Sequence, residues 1–391
     1  MFAWPSGFQA CDETSYALQT VFTSQALAAW QLFNRFEQWN AAGKKLLVVN
    51  LDETCIRCFE SHGKGNVFAR LGESSPPVVQ RLAKKLRKKC LTYIAMICND
   101  REIQPLLPQY VIGNESTFLK KDLKRLGDAC GANVVLVRRA AHFHAKCYFL
   151  RFFSIRQKSG WTDAKLTAAV LRHLAKAVLH LRTEFEVVVL MDALRAHLAT
   201  PVLDVFSRWN MLPCIVPSGM TDKMQPLDTH AFSQFKNALR EKYSAARGVH
   251  PCGDVPMHAF VGCISDTISQ NMISRNWSSA FLQNGFGRGQ SSVSQSLLPL
   301  LGNSTVEERN VMPTLTQLEL CLGRRAQAPA AIIWRRFVHN AAESASGFAA
   351  PVPRMKRKLT DERNDRIANA SLFGKTRSQT AALRDVASDL S

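Results

Sequence analysis

Phe185–Asp192 reads FEVVVLMD, a run of apolar and β-branched residues that stops at an acid. Such a run predicts a strand that is buried on both faces of a sheet. Residues 46–52 (LLVVNLD) repeat the same pattern earlier in the chain. Two buried strands, each predicted to end at an aspartate, decide the fold expected for this sequence.

Further strands and helices surround these two. The remaining apolar runs predict strands at 66–71, 91–99, 111–114, 133–139 and 212–217. The helical spacing of apolar residues predicts helices at 15–42, 116–130, 163–181, 196–209 and 226–246. A group of strands followed by alternating helices and strands is typical of an α/β fold with a mixed sheet.

The charge of the chain indicates a polyanionic partner. Its 391 residues include 50 Lys and Arg but only 31 Asp and Glu, a formal net charge of +19. Nucleic acid is the usual partner of such a protein, an anionic membrane surface is the second, and a charge that only keeps the protein soluble is a third explanation. The sequence contains no run of eighteen apolar residues, so it predicts no membrane span.

Two basic clusters could contact a DNA backbone, or could simply be solvated helix faces. Their members are Lys84, Lys85, Arg87, Lys88, Lys89, Lys120, Lys121, Lys124 and Arg125.

Three aspartates suggest a site. Asp52 and Asp192 end the two buried strands, and Asp228 opens the helix predicted after Pro226. Helix capping is the alternative role for each of them. Ligands of α/β sheets bind beyond the ends of the strands, which is where these aspartates are expected. Carboxylates that converge there raise one another's pKa unless a cation lies between them. Oxygen ligands favour Mg²⁺ or Mn²⁺, and a pair of such ions promotes phosphodiester chemistry.

Three short motifs carry a family resemblance. Residues 50–54 (NLDET) resemble the N-x-D-E-T motif of the DDE superfamily endonucleases, in the pogo/Tigger-type transposase group. Residues 191–197 (MDALRAH) resemble that family's L-D-N-A-x-x-H motif, with Ala193 in place of Asn. Residues 217–228 (PSGMTDKMQPLD) resemble P-x-x-x-T-x-x-x-Q-P-L-D.

The resemblance implies a ribonuclease-H-like fold: a mixed sheet flanked by helices, here with a helical C-terminal extension. It implies that Asp52 and Asp192 bridge two Mg²⁺ or Mn²⁺ ions and that Asp228 is the third catalytic ligand. Three further residues are candidates for the vicinity of the site, although Glu53 alternates with Asp52 and is expected to point away from the ions. They are Glu53, His197 and Gln225.

The resemblance also divides the chain. Four parts are predicted: a helical segment at 1–44 that is a truncated or remnant DNA-binding region, a catalytic domain at 45–246, a helical extension at 247–348 and a basic, disordered tail at 349–391.

Two functions are consistent with these patterns. The first is a metal-dependent endonuclease or transposase-like enzyme that cleaves and joins DNA, with DNA as partner, no membrane, and a homodimer as a further expectation. The alternative is a catalytically inactive, transposon-derived protein that binds nucleic acid. Residues 354–358 (RMKRK) resemble a nuclear-import signal and predict a nuclear protein, although a solvated tail would have the same composition.

Overall fold

The computed structural model describes residues 24–26, 28–29, 45–57, 90–114, 134–137, 152–157, 162–249, 255–286, 296 and 314–322. All of these belong to the unit Met1–Asn340. The strand predicted at 66–71, the helix predicted at 116–130, most of the N-terminal segment and the tail at 349–391 lie outside the described residues.

Seven described strands form one mixed sheet in the order β4-β5-β3-β2-β1-β6-β7. The pairs β1–β2 and β2–β3 are antiparallel, whereas β1–β6, β6–β7, β3–β5 and β4–β5 are parallel. The strands are β1 (Lys45–Arg57), β2 (Cys90–Cys98), β3 (Gln109–Asn114), β4 (Val134–Val137), β5 (Phe152–Gln157), β6 (Phe185–Asp192) and β7 (Leu212–Val216).

The five-strand part β3-β2-β1-β6-β7 has the ribonuclease-H-like arrangement, an antiparallel group joined through β1 to parallel strands. The predicted fold class, an α/β mixed sheet flanked by helices, is therefore confirmed. Strand β5 was not predicted, because Phe152, Phe153 and Ile155 make only a short apolar pattern. Its structure is set by parallel pairing with β3 on one side and β4 on the other.

The prediction that Asp52 ends its strand is wrong. Strand β1 continues to Arg57, because β2 runs beside it from Val49↔Cys98 to Arg57↔Cys90. By contrast, β6 pairs with β1 only as far as Asn50↔Leu190. Asp52 therefore lies inside β1, at the point where its neighbour β6 comes to an end.

The helices flank this sheet. Asp163 caps the first of them by accepting a hydrogen bond from the Leu166 N–H at 2.8 Å. The second helix starts at Thr200 rather than at the predicted residue 196, where Pro201 suits the first turn. The helices are α1 (Ala164–Ala177), α2 (Thr200–Arg208), α3 (Thr221–Met224), a π-helical turn (Leu227–Ala231), α4 (Phe232–Val249), α5 (Met257–Ile268), a second π-helical turn (Ser269–Ile273), α6 (Ser278–Gln283) and α7 (Leu315–Leu322).

The hydrophobic core is continuous from the sheet into the C-terminal helices. Phe260, Trp277 and Phe281 belong to the same buried cluster as the strands. Polar bonds reinforce this packing, since Gln104 Nε2 donates to the Met272 carbonyl at 3.0 Å. The four predicted domain boundaries themselves stay a prediction. None of the helices that the structure describes is long and apolar enough to cross a membrane.

The packing of Trp277 gives a stability prediction. Its side chain is 2% exposed, and its Nε1 donates to the Met272 carbonyl at 3.1 Å. Trp277→Ala should lower the free energy of unfolding by about 3–5 kcal/mol, because it leaves a cavity in the core. Leu282→Ala is the matched control, since Leu282 is 49% exposed and its loss should change stability by less than about 0.5 kcal/mol. Equal urea midpoints for the two variants would contradict the continuous core.

Candidate active site

Asp52 and Asp192 lie side by side because of the register between β1 and β6. Asn50 is opposite Leu190 in this parallel pair. Two residues further along both strands, Asp52 and Asp192 reach the same level of the sheet. Asp52 remains 7% exposed, so its carboxyl group is held in a largely desolvated position.

Asp228 completes the group from the π-helical turn that follows Pro226. Its carboxyl group is within hydrogen-bonding distance of that of Asp52. Burial, and next the charge of Asp228, raise the pKa of Asp52 to about 9. Burial also raises the pKa of Asp228, against the opposing effect of its hydrogen bond with Asp52. Asp52 therefore keeps a proton at neutral pH when no cation is bound.

Asp192 is close to both groups, since its charge raises the pKa of Asp52 and of Asp228. Its Oδ1 atom is 2.6 Å from His197 Nδ1 and accepts from the Leu194 N–H at 3.2 Å. No hydrogen bond to its Oδ2 atom is found among the residues that the structure describes.

His197 joins β1 to the end of β6. Its ring is fully buried, and its Nε2 atom is 3.3 Å from Glu53 Oε1. Burial alone would lower the pKa of His197, but hydrogen bonds with Asp192 and Glu53 outweigh it and raise the pKa to about 10. His197 is thus an imidazolium between two carboxylates. Although Glu53 alternates with Asp52 along β1, its carboxylate is tied to the site through His197.

Gln225 is buried, and its Oε1 accepts a hydrogen bond from Asn50 Nδ2 at 2.9 Å. Gln225 Nε2 and Glu53 Oε2 are buried atoms without a hydrogen-bond partner in the described part of the chain. Asn50 is part of the first aspartate motif, and no role is predicted for it from the sequence. The feature of the sequence that could have indicated a role is a single amide side chain within an apolar strand, because a buried polar side chain needs hydrogen-bond partners.

A positive charge on α4 also acts on this group: burial raises the pKa of Asp228, and the charge of Lys236 opposes part of that rise. The nine basic residues predicted to contact DNA all lie outside the described residues.

The donor set fits a hard divalent cation in its chemistry. The carboxyl groups of Asp52 and Asp228 are within hydrogen-bonding distance, and Asp192 is close enough for its charge to act on both. A cation between these carboxyl groups would offset the repulsion among them. Among the described residues, however, no three His, Cys, Asp or Glu side chains are already spaced to hold a metal ion.

The sequence model of the DDE superfamily endonuclease family matches residues 92–275. The family resemblance is thereby confirmed for this part of the chain. The matched segment contains Asp192 and Asp228, while Asp52 lies on β1 before it. No curated protein is detectably similar in sequence.

A solved structure titled Mos1 transposase paired-end complex with left transposon end is also similar to the chain. The two are 12% identical with a TM-score of 0.34, and the match covers 68% of this chain and 63% of that one. The chain thus spans less than two thirds of that protein's length.

The raised pKa of Asp52 predicts how stability depends on pH. The folded protein holds a proton on Asp52 that the unfolded chain loses above its ordinary pKa of 3.8. Metal-free stability should therefore fall as pH rises toward 9, by up to about 1.4 kcal/mol per pH unit. Asp52→Asn removes this dependence and should stabilise the metal-free protein increasingly from pH 5 to pH 8.

Urea unfolding in EDTA at several pH values measures the effect. Asp204→Asn is the control, because Asp204 is exposed on α2. A constant difference in stability between Asp52→Asn and the native chain at all pH values would be incompatible with a raised pKa of Asp52.

Proposed function

We propose that this protein is a metal-dependent DNA endonuclease of the DDE transposase type, which cleaves and joins DNA strands with two Mg²⁺ or Mn²⁺ ions. The observation that carries the proposal is the convergence of Asp52, Asp192 and Asp228 at one edge of the sheet. The net charge of +19 supports it, because a basic surface concentrates the phosphate backbone around an acidic site.

Each residue has a role in this proposal. Asp52 and Asp192, at the same level on β1 and β6, would hold the two ions together with Asp228 as the third ligand. When bound, the ions supply an activated nucleophile and stabilise the leaving oxygen. His197 holds the Oδ1 atom of Asp192, and its positive charge offsets part of the repulsion between Asp192 and Glu53.

The proposal also covers the binding partners of the protein and its location in the cell. DNA is the substrate, and the nine lysines and arginines at 84–89 and 120–125 contact its backbone. The chain acts in the nucleus and as a homodimer. The pogo/Tigger-type motifs support this narrower assignment, because the three aspartates occur in the order and sequence context of that group.

Plasmid nicking tests the proposed activity. The native chain should nick supercoiled DNA with Mg²⁺ or Mn²⁺ and not in EDTA. Asp192→Asn should reduce the nicking rate by more than roughly 100-fold. Loss of a residue that only hydrogen-bonds to a metal ligand costs up to about that factor, whereas Asp192→Asn removes the charge of a ligand itself while keeping the size of the side chain. Asp204→Asn is again the matched control and should nick at the native rate.

Opposite outcomes separate the two candidate functions. Nicking that survives Asp192→Asn would assign the activity to another site or to a contaminant. A folded native chain that binds DNA but neither binds Mn²⁺ nor nicks would support the catalytically inactive DNA-binding protein instead.

A further inference from the structure

Asn50 contacts all three segments that carry the aspartates. It lies on β1, two residues before Asp52, and is fully buried. Its Nδ2 atom donates to the Leu190 carbonyl at 3.1 Å, two residues before Asp192. Its Oδ1 atom accepts from the Leu227 N–H at 2.8 Å, directly before Asp228.

The orientation of this amide is fixed by its partners. The Leu227 N–H can only donate and the Leu190 carbonyl can only accept, so the Asn50 oxygen must face the former and its nitrogen the latter. The second hydrogen of Nδ2 is then directed to Gln225 Oε1, which is 2.9 Å away. One side chain thus makes three hydrogen bonds, and a flipped amide would not satisfy the same partners.

The bond to Leu227 has a particular effect on Asp228. Leu227 opens the π-helical turn, and the first N–H groups of a helix lack partners within the helix. Pro226, which precedes it, offers no side-chain cap. Asn50 supplies the missing acceptor from a distant part of the sequence and so fixes the start of the turn against β1. The carboxyl group of Asp228 is held beside Asp52 as a result.

We propose that Asn50 is a positioning residue that sets the spacing of the three carboxylates. It touches neither DNA nor ions and acts through the backbone of the segments that carry the three aspartates. This role differs from a contribution to the overall stability of the protein, because it concerns the position of the turn that carries Asp228 relative to β1 and β6. Its consequence for metal binding and nicking rests on the function proposed above.

Asn99 provides a matched control. It is also a buried asparagine, and it makes two hydrogen bonds with the backbone of β1, accepting from the Val48 N–H at 3.1 Å and donating to the Leu46 carbonyl at 3.2 Å. Both bonds are made at least four residues before Asp52 on β1, and neither joins β1 to β6 or to the turn that carries Asp228. Asn99→Ala and Asn50→Ala therefore remove similar bonds from the same strand, but only Asn50→Ala should release the turn.

Two measurements compare the variants at equal fraction folded. Hydrogen exchange of the peptide that contains Leu227 should be faster in Asn50→Ala by on the order of tenfold, and unchanged in Asn99→Ala. The affinity for Mn²⁺, followed by electron paramagnetic resonance without DNA, should fall about 10–100-fold in Asn50→Ala and stay near the native value in Asn99→Ala.

A second variant covers the case in which Asn50→Ala does not fold. Gln225→Ala removes the hydrogen bond between Asn50 Nδ2 and Gln225 Oε1 while leaving Asn50 in place. Hydrogen exchange near Leu227 should again become faster and the Mn²⁺ affinity should again fall, each by a smaller factor than in Asn50→Ala. Equal exchange near Leu227 in the Asn50 (or Gln225) and Asn99 variants would overturn the positioning role. A native chain without Mn²⁺ affinity or nicking would instead overturn the proposed function, while the exchange comparison would still decide the role of Asn50.

Discussion

The parallel pairing of β1 with β6 is the constraint on which the rest of the site depends. Its register, with Asn50 opposite Leu190, brings two aspartates to one level although 140 residues separate the paired positions. A shift of one residue would turn one of the two carboxylates to the other face of the sheet. Because both strands are buried, such a shift would also expose their apolar side chains to water, so packing and site geometry are fixed by the same contacts.

This geometry crowds negative charge into a desolvated edge of the sheet. Two devices reduce the cost in the structure: a proton kept by Asp52 in its contact with Asp228, and the imidazolium of His197 between Asp192 and Glu53. The imidazolium is supplied by a side chain that both carboxyl groups contact, whereas the proton on Asp52 is lost as the pH rises toward 9. The site therefore carries less negative charge at neutral pH than its carboxyl groups alone would give it.

The C-terminal helices support the same edge. Thr229, next to Asp228, accepts a hydrogen bond from Asn284 Nδ2 at 2.9 Å, just beyond α6. Gln104 and Trp277 connect this region to β2 and to the core. The helices that follow residue 250 thus belong to the packing that holds the third aspartate in place.

Most of the fold could be predicted from local patterns, because buried strands such as Phe185–Asp192 and capped amphipathic helices such as Ala164–Ala177 are specified by their own residues. The order of three aspartate motifs also identified the candidate carboxylates. The extension of β1 to Arg57 and the existence of β5 depend on partner strands that are far away in sequence. Tertiary structure alone decided the hydrogen bonds of Asn50, the raised pKa of Asp52 and the charge of His197. Each of them arises from groups that meet only when distant segments of the chain pack together and exclude water.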